Sequence, residues 1–264
     1  MTNKALRLIS FSPTGTTKKI LTSIAEGINL PIKEDIDLTK PQAEIITIEN
    51  NMLTLVGVPV HAGRMPLTAV ERLRTLKANN VPTILVVVYG NRNVDDTLIE
   101  LKTEVQNLGF NPKFAGTFIS EHSWNTATIK IAEGRPDYND LQKAKEFGKT
   151  ISLKINKKEV QSSNYQLNIP GNPVYKERKV FPKIKPIVDE ELCNTCGDCE
   201  KACPVSAIQV NSLVDIDENK CILCSACIKQ CPQEAMAFKD PWLTKVAGWL
   251  SENFKERKEP EFFF

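Results

Sequence analysis

Two cysteine-rich runs decide the fold of the C-terminal part of this chain. Residues 193–204 read C-N-T-C-G-D-C-E-K-A-C-P, and residues 221–232 read C-I-L-C-S-A-C-I-K-Q-C-P. The second run repeats the first at an offset of 28 residues, and together they contain all 8 cysteines of the chain. The repeat continues beyond the prolines, because Ala207 and Ala235 also match at this offset. It predicts two copies of one ligand-binding loop within a small domain.

Each run has the spacing C-x2-C-x2-C-x3-C-P, which holds a cubane iron–sulfur cluster. Where two such runs occur together, three thiolates of one run bind one cluster and the fourth cysteine binds the other cluster. The spacing therefore predicts two [4Fe–4S] clusters. The first is assigned Cys193, Cys196, Cys199 and Cys231, and the second is assigned Cys221, Cys224, Cys227 and Cys203.

Zinc sites and disulfides are the alternatives for these cysteines. Four thiolates also suit zinc, but zinc ribbons separate their C-x-x-C pairs more widely and lack the third cysteine and the C-P. Disulfides are disfavoured because the N-terminus lacks a signal-peptide profile, and dense C-x-x-C runs in a cytosolic protein favour metal or redox roles. Small residues between the cysteines, such as Gly197, Ala202 and Ser225, leave room for clusters in the core.

Length and composition predict two domains. A chain of 264 residues is long enough for a cluster domain of about 60 residues and one full α/β domain. Hydrophobic residues make up 41% and charged residues 25%, as in ordinary globular proteins. No apolar run approaches the ~20 residues of a membrane span, and no basic patch with interleaved aromatics suggests nucleic acid. We expect a cytoplasmic protein.

Charge is distributed unevenly along the chain. Residues 154–186 carry 8 basic and 2 acidic side chains, whereas residues 187–264 carry 8 basic and 14 acidic ones. Either the basic segment lies against the acidic domain, or it is a solvated loop.

The N-terminal segment predicts a strand, a hydroxyl-rich loop and a helix. Residues 5–11 read as a strand, and apolar residues at helical spacing follow from Ile20. The loop between them is S-P-T-G-T-T at residues 12–17, which is neither a Walker A sequence nor G-x-G-x-x-G. Free N–H groups at a helix N-terminus, with hydroxyl donors, attract a phosphate. The alternative is an ordinary helix cap by Ser12 or Thr14.

Further strands alternate with helices. Residues 52–60, 82–89 and 113–119 read as buried strands, with helices after Pro66, from Val94 to Leu108, and from about Asn139 to Leu153. One more strand is required at 32–38 or 43–48. The alternation predicts an α/β fold with a doubly wound, parallel, five-stranded sheet. Loops 12–17, 59–64 and 89–93 then converge at the carboxyl ends of the strands, where such sheets bind ligands.

The chain resembles the flavodoxin–ferredoxin fusion proteins. The resemblance rests on S-P-T-G-T-T, G-V-P-V-H-A-G-R-M-P, V-Y-G-N-R-N-V-D-D and E-H-S-W, together with the cysteine repeat. It implies a flavodoxin-like FMN domain at 1–153, a linker at 154–186, a small α+β two-cluster ferredoxin domain at 187–239, and a C-terminal helix and tail at 240–264. The implied FMN contacts are Ser12, Thr14, Gly15, Thr16 and Thr17 at the phosphate, Pro59, Val60, His61, Ala62, Gly63, Tyr89, Gly90, Asn91, Arg92 and Asn93 beside the ring, and Trp124.

The sequence departs from the flavodoxin pattern in its aromatic residues. Flavodoxins commonly sandwich the flavin between aromatic side chains, but the second loop offers His61 and the third offers Arg92. Tyr89 can point inward, and Trp124 is equally well explained as a ring contact or as a core residue. We expect His61 near the flavin, whereas His122 is equally well explained as a functional residue or as a structural residue satisfied within its own loop.

The C-terminal segment predicts an amphipathic helix and a buried tail. Asp240-Pro241 is a helix start, and Trp242, Leu243, Val246, Leu250 and Phe254 share one face. This face favours docking on the chain itself over partner binding. The three terminal phenylalanines predict burial in a groove or in a neighbouring chain, which would be a homo-oligomer contact.

These features predict electron transfer between two [4Fe–4S] clusters and FMN, in a low-potential carrier of anaerobic metabolism. Redox partner proteins would dock on the ferredoxin domain. The alternative is a flavin-dependent reductase that takes electrons through the clusters and reduces a small substrate at FMN. The sequence contains no Rossmann fingerprint for NAD(P)H, which would have supported that alternative. A redox sensor is a third class, without specific support.

Overall fold

A six-stranded sheet forms the centre of the N-terminal domain in the computed structural model, which describes residues 5–42, 44–162 and 165–264. The elements of this domain, in chain order, are β1 (Leu6–Ser10), α1 (Thr16–Ile28), β2 (Ile32–Asp37), β3 (Ile46–Ile48), β4 (Leu53–Pro59), α2 (Leu67–Leu73), β5 (Leu76–Ala78), β6 (Val81–Tyr89), α3 (Thr97–Asn107), β7 (Phe110–Ile119), α4 (Tyr138–Lys154) and α5 (Lys158–Gln161).

Five strands of the sheet are parallel and lie in the order β2-β1-β4-β6-β7. Numbered among themselves along the chain, they give the order 2-1-3-4-5 of flavodoxin-like sheets. In that order the direction of winding reverses between β1 and β4, so the loops after these two strands face each other. The predicted flavodoxin-like, doubly wound fold is confirmed.

Two hydrophobic cores cover the two faces of the sheet. Val56, Val87 and Leu98 belong to one core, and Leu55, Val86 and Phe147 belong to the other. Neighbouring residues of β4 and β6 thus enter opposite cores, which explains why these strands are apolar throughout. Helices α1 and α4 pack closely at Gly27, where a Cβ would lie only 1.9 Å from the Lys145 carbonyl oxygen.

Several predicted boundaries differ from the structure. Of the two candidates for the additional strand, 32–38 supplies β2 in the main sheet. The other candidate begins at Ala43, which lies outside the described residues, and its later part forms β3, which pairs with β5. Helix α3 begins at Thr97 rather than Val94. The reason is the left-handed backbone of Asp95, with φ 46°, which an α-helix does not accommodate.

The ferredoxin-type domain consists of short elements. They are β8 (Ile187–Val188), α6 (Asp198–Ala202), β9 (Ile208–Val210), β10 (Val214–Ile216), α7 (Ala226–Lys229) and β11 (Met236–Ala237). Strand β9 pairs antiparallel with β10, and β8 pairs antiparallel with β11. Residues 187 and 237 thus lie side by side, which closes the domain on itself.

The C-terminal segment returns to the N-terminal domain. Helix α8 (Pro241–Asn253) begins where the Asp-Pro pair predicts, and the Asp240 carboxylate accepts hydrogen bonds from the N–H groups of Trp242 and Leu243. Strand β12 (Glu261–Phe263) then pairs antiparallel with β7 and adds a sixth strand that the sequence analysis did not predict. The helix and tail thus pack within the chain, and the homo-oligomer contact stays a prediction.

The basic linker lies mainly against the N-terminal domain. Leu167 is buried in one of the two cores, Lys176 pairs with Asp95, and Arg178 pairs with Glu100. These two cations therefore pair with acidic groups of the flavodoxin-like domain. Further along the linker, Lys185 lies against the ferredoxin-type domain and donates to the Ile216 carbonyl oxygen at 2.9 Å. Within the described residues, no helix is long and apolar enough to cross a membrane.

Candidate functional site

The loop after β1 presents free hydrogen-bond donors. Gly15 has φ 81° and is the N-cap of α1, and the Ser12 hydroxyl accepts the N–H of Lys18 at 3.1 Å. Among the described residues, no protein acceptor bonds to the backbone N–H groups of Thr14, Thr16 and Thr17. Ser12 thus acts as the helix cap that was the alternative for this loop. Three further N–H donors remain that can bind an anion. The methyl group of the buried Thr17 side chain faces Gly57.

The loop after β4 is a tight turn. His61 and Arg64 exchange both backbone hydrogen bonds, at 2.8 and 3.0 Å. Ala62 and Gly63, between them, have φ 50° and 84°. Gly63 allows the turn to approach the loop after β6, since a Cβ there would lie 2.4 Å from an Asp95 carboxylate oxygen. The turn holds His61 at the end of the sheet.

The loop after β6 is engaged by the C-terminal tail. The buried Asn91 side chain donates hydrogen bonds to the carbonyl oxygens of Phe254 at 2.7 Å and Glu256 at 2.9 Å. Arg92 pairs with Asp95, and the Asn93 side chain accepts the N–H of Asp95. All three side chains thus make protein contacts, although the buried Oδ1 of Asn91 has no hydrogen-bond partner among the described residues.

A cavity of about 60 Å³ lies where four strand ends meet. Six of the residues that the resemblance places at FMN line it: Thr14, Thr16, Pro59, Val60, His61 and Gly90. The other predicted contacts do not line it: Ser12, Gly15, Thr17, Ala62, Gly63, Tyr89, Asn91, Arg92, Asn93 and Trp124. Ser12 and Gly15 instead border an open cleft of about 670 Å³ beside the same loop.

The loop after β7 lines the cavity with Ser120, Glu121, His122 and Ser123, which the sequence analysis did not place there. The signal was present, because this loop also follows a parallel strand of the sheet. A Cβ on Gly90 would lie 2.5 Å from His122 Cδ2, so the imidazole packs directly on the backbone of the neighbouring strand end.

Both histidines of the chain face this cavity as neutral imidazoles. Burial lowers the pKa of His61 to about 4. Burial, with smaller effects of His61 and Arg92, lowers the pKa of His122 to about 4. His122 Nδ1 accepts the N–H of Trp124 at 3.1 Å, so the proton of the neutral ring is on Nε2. His122 thus accepts one hydrogen bond within its own loop and also lines the cavity.

Trp124 contacts the ferredoxin-type domain. Its indole Nε1 donates to the Leu223 carbonyl oxygen at 2.9 Å, and its ring makes edge contacts with Phe181 and Trp242. Of the two explanations left open for this residue, the structure places Trp124 in an aromatic cluster between the domains.

The eight cysteines line two separate cavities. One is lined by Cys193, Cys196, Cys199 and Cys231, and the other by Cys203, Cys221, Cys224 and Cys227. These are the groups that the spacing rule assigns to separate clusters; ligation itself stays a prediction. Among the described residues, no three His, Cys, Asp or Glu side chains converge as they would around a single metal ion.

The two cysteine runs have matching backbone conformations. Left-handed φ values recur at the 28-residue offset, at Thr195 and Leu223 (53° and 56°) and at Gly197 and Ser225 (80° and 62°). The N–H groups of Ala207 and Ala235 donate to the Sγ atoms of Cys203 and Cys231, at 3.2 and 3.3 Å. Such N–H···S bonds stabilise thiolates and the clusters that they bind.

The second cysteine cavity has the more apolar surroundings. Burial raises the pKa of the Cys224 thiol to about 12, and it also raises the pKa of Cys227. Without a positively charged group nearby, these thiols stay protonated. The donor set therefore fits a metal cluster, whose positive irons would stabilise the thiolates.

The second cysteine cavity adjoins the flavodoxin-like domain. Cys224 lines the cavity that contains His61 and His122. Lys229, in the same cysteine run, forms an ion pair with Glu121 at 2.6 Å. The four cysteines of the first cavity have no such contact within the described part of the chain, and Cys196 is exposed.

Comparison with known proteins supports the C-terminal assignment. Residues 192–235 match the family described as 4Fe-4S dicluster domain. A search of curated protein sequences finds no match.

Similar solved structures include flavodoxins. One from the domain Archaea is 16% identical with a TM-score of 0.38, covering 58% of this chain and 99% of its own. Flavodoxin 1 from Bacillus cereus is 16% identical with a TM-score of 0.38, covering 55% of this chain and 94% of its own. A flavodiiron core from Synechocystis is 17% identical with a TM-score of 0.41, covering 56% of this chain and 35% of its own.

The chain therefore joins a flavodoxin-like α/β domain to a ferredoxin-type iron–sulfur domain. The strand order identifies the fold of the first domain, and the family match identifies the second. These two domains together support a role in electron transfer.

Proposed function

We propose that the protein transfers electrons between two [4Fe–4S] clusters and one FMN. The observation that carries this proposal is that Cys224 lines the same cavity as His61 and His122. A cluster bound by Cys224 would lie beside a flavin bound at the strand ends. Clusters exchange single electrons and flavins exchange one or two, so FMN would act as a relay or as a converter between one- and two-electron steps.

The loop after β1 supports binding of a phosphate. The three free N–H groups of Thr14, Thr16 and Thr17 lie at the start of α1, where the helix dipole also favours an anion. The cavity for the ring is smaller than the ~300–1,000 Å³ of usual ligand pockets. In this arrangement of the loops around His61 and His122, the cavity could hold only part of an isoalloxazine ring.

The arrangement favours a carrier over a reductase. A reductase needs polar groups free to bind a substrate above the flavin. Besides the two histidines, the candidates were Arg64 and Arg92, but Arg64 is paired with Glu100, and Arg92 with Asp95. Both guanidinium groups are thus occupied. The wall that contains Cys224 instead offers the flavin a redox neighbour.

A redox partner would dock at the first cysteine cavity. Residues 187–200 contain five acidic side chains and no basic one. Leu192 and Leu213 are 52% and 60% exposed, and each precedes a residue that lines this cavity. An apolar patch with an acidic rim fits a partner with a basic surface around its own redox centre.

The test begins with anaerobic purification and analysis of metal and flavin. We expect about eight irons, eight labile sulfides and one FMN per chain. The clusters are then reduced by one electron, and the absorbance of the flavin is followed by stopped flow. Appearance of the flavin semiquinone or hydroquinone without added substrate supports the carrier. Zinc in place of iron, or a flavin that stays oxidised while the clusters are reduced, would contradict it.

A further inference from the structure

The hydroxyl of Ser225 is a buried polar group without a partner. Ser225 is 3% exposed, and its Oγ has no hydrogen-bond partner in the described part of the chain. The residue lines the second cysteine cavity, between Cys224 and Cys227 in the sequence. Of the unpartnered buried side-chain atoms among the described residues, Oγ of Ser225 alone belongs to a residue lining either cysteine cavity.

The usual role of serine at this position does not explain the hydroxyl. Ser225 is the N-cap of α7, but its side chain accepts no hydrogen bond from the helix. A capping serine has an extended backbone, whereas Ser225 has φ 62° and ψ 13°, in the left-handed region. A strained backbone and an unsatisfied hydroxyl in one residue are typical of functional sites.

The internal repeat supplies a reference for Ser225. Gly197 occupies the matching position in the first run, with φ 80° and ψ 3°, and is the N-cap of α6. A Cβ at Gly197 would have nothing within 4 Å, so space does not exclude a side chain there. The two cysteine runs thus have the same backbone conformation at this position. Ser225 adds a hydroxyl to the second cavity, whereas Gly197 adds none to the first.

We propose that Ser225 Oγ donates a hydrogen bond to a sulfur of the cluster in the second cavity and raises its reduction potential. The inference rests on the proposed function, in which both cavities hold [4Fe–4S] clusters. A reduced cluster carries one more negative charge than an oxidised one, so a donor to its sulfurs stabilises the reduced form more strongly. Gly197 offers the first cluster no such side-chain donor.

The difference sets a direction for electrons within the ferredoxin domain. With clusters bound in both cavities, this difference would favour oxidation of the first cluster and reduction of the second by one electron. Because Cys224 lines the cavity with His61 and His122, the second cluster is the one beside the proposed flavin. By raising the reduction potential of the second cluster, Ser225 therefore favours reduction of the cluster beside the proposed flavin.

The test compares Ser225→Gly and Ser225→Ala with the wild-type holoprotein. Glycine accepts the left-handed backbone, so Ser225→Gly removes the hydroxyl and also relieves strain. Both cluster potentials are measured by potentiometry with detection by electron paramagnetic resonance. We expect one of the two reduction potentials to fall by ~59 mV in both variants. For a one-electron couple, this shift is a tenfold decrease in the ratio of reduced to oxidised cluster at a fixed potential. The other potential stays unchanged.

The reciprocal change identifies which cluster is affected. Gly197→Ser should raise the potential that the Ser225 variants leave unchanged, and Gly197→Ala should not raise it. If both Ser225 variants keep both potentials, or if glycine alone changes one, the hydroxyl has no such role. Iron analysis separates this outcome from failure of the proposed function, because a wild-type protein that lacks two clusters overturns that function itself.

Discussion

The indole N–H of Trp124 donates a 2.9 Å hydrogen bond to the carbonyl oxygen of Leu223. Trp124 lies in the loop after β7, and Leu223 lies between Cys221 and Cys224. This bond joins a loop of the candidate flavin site to the second cysteine run, as does the ion pair between Glu121 and Lys229. The two contacts hold the two redox sites of the proposed carrier beside each other.

Replacing Trp124 with phenylalanine tests this contact. Trp124→Phe keeps an aromatic ring but leaves the Leu223 carbonyl unpaired, so we expect a loss of about 1 kcal/mol in stability. Electron exchange between clusters and flavin should also slow. The measurements are anaerobic thermal unfolding and stopped-flow reduction. Trp249→Phe is the control, because Trp249 is 51% exposed. Equal effects of the two substitutions would count against this role.

Serine at the fourth cysteine of each run tests how the ligands are shared. Cys203→Ser should remove the cluster beside the flavin, and Cys231→Ser the exposed one, because each fourth cysteine binds the opposite cluster. Both variants should keep about four irons per chain. Only Cys231→Ser should retain rapid exchange between flavin and cluster. If Cys203→Ser alone retains rapid exchange, each fourth cysteine binds the cluster of its own run.

The proposed phosphate site in the loop after β1 is tested by comparing FMN with riboflavin. Thr14→Ala and Thr16→Ala keep the backbone N–H groups but remove a hydroxyl donor, so each should weaken FMN binding about two- to tenfold, as expected for the loss of one hydrogen bond. Riboflavin binding, which involves no phosphate, should be unchanged. Thr22→Ala is a control in the same helix, since its hydroxyl donates to the Lys18 carbonyl of the helix itself. Equal losses for both flavins would place the phosphate elsewhere.

The terminal strand is tested by truncating one phenylalanine. Phe262 stacks on Phe147 with ring centroids 4.6 Å apart. We expect Phe262→Ala to lower the free energy of unfolding by about 2 kcal/mol, below the cost for a fully buried phenylalanine. It should also promote association through the open edge of β7. Urea unfolding and light scattering measure these effects. Phe264→Ala, at a position 42% exposed, should cost less.

The attachment of the tail should weaken in acid. A hydrogen bond from Arg257 holds the pKa of Asp137 well below its usual range, with a smaller effect from Asp140. A lowered carboxyl pKa stabilises the fold above the unfolded pKa of 3.8, and this stability is lost as the pH falls through the folded value. Arg257 also lies 3.1 Å from the buried Asp140 carboxylate.

Arg257→Met provides the measurement for this pH dependence. The wild-type protein should lose stability below about pH 4, whereas the variant should start lower and change less with pH. Because Arg257 and Asp137 are substantially exposed, the effect should shrink at high salt. Unfolding is followed from pH 7 to pH 3 at two salt concentrations. Parallel curves for the two proteins would show that the Arg257–Asp137 pair does not contribute to the pH dependence.

Local pattern predicted much of the fold. The alternation of apolar strands with helices gave the parallel sheet, and β1, β4, β6, α2 and α4 lie within a few residues of their predicted positions. Strand β12 was missed because its three residues have no periodicity of their own, and pairing with the edge of β7 defines it. Residues 91–95 were partly assigned to a helix, although the tail and neighbouring loop hold them in a turn.

Sequence by itself determined the spacing of the cysteines, their repeat and the succession of β1, its following loop and α1, because these depend on neighbours along the chain. Only the tertiary structure decided that Cys224 lies at the cavity of His61 and His122, and that Asn91 holds the tail. Such contacts join residues more than a hundred positions apart. Burial and hydrogen bonding select them after the chain has folded, so no local pattern encodes them.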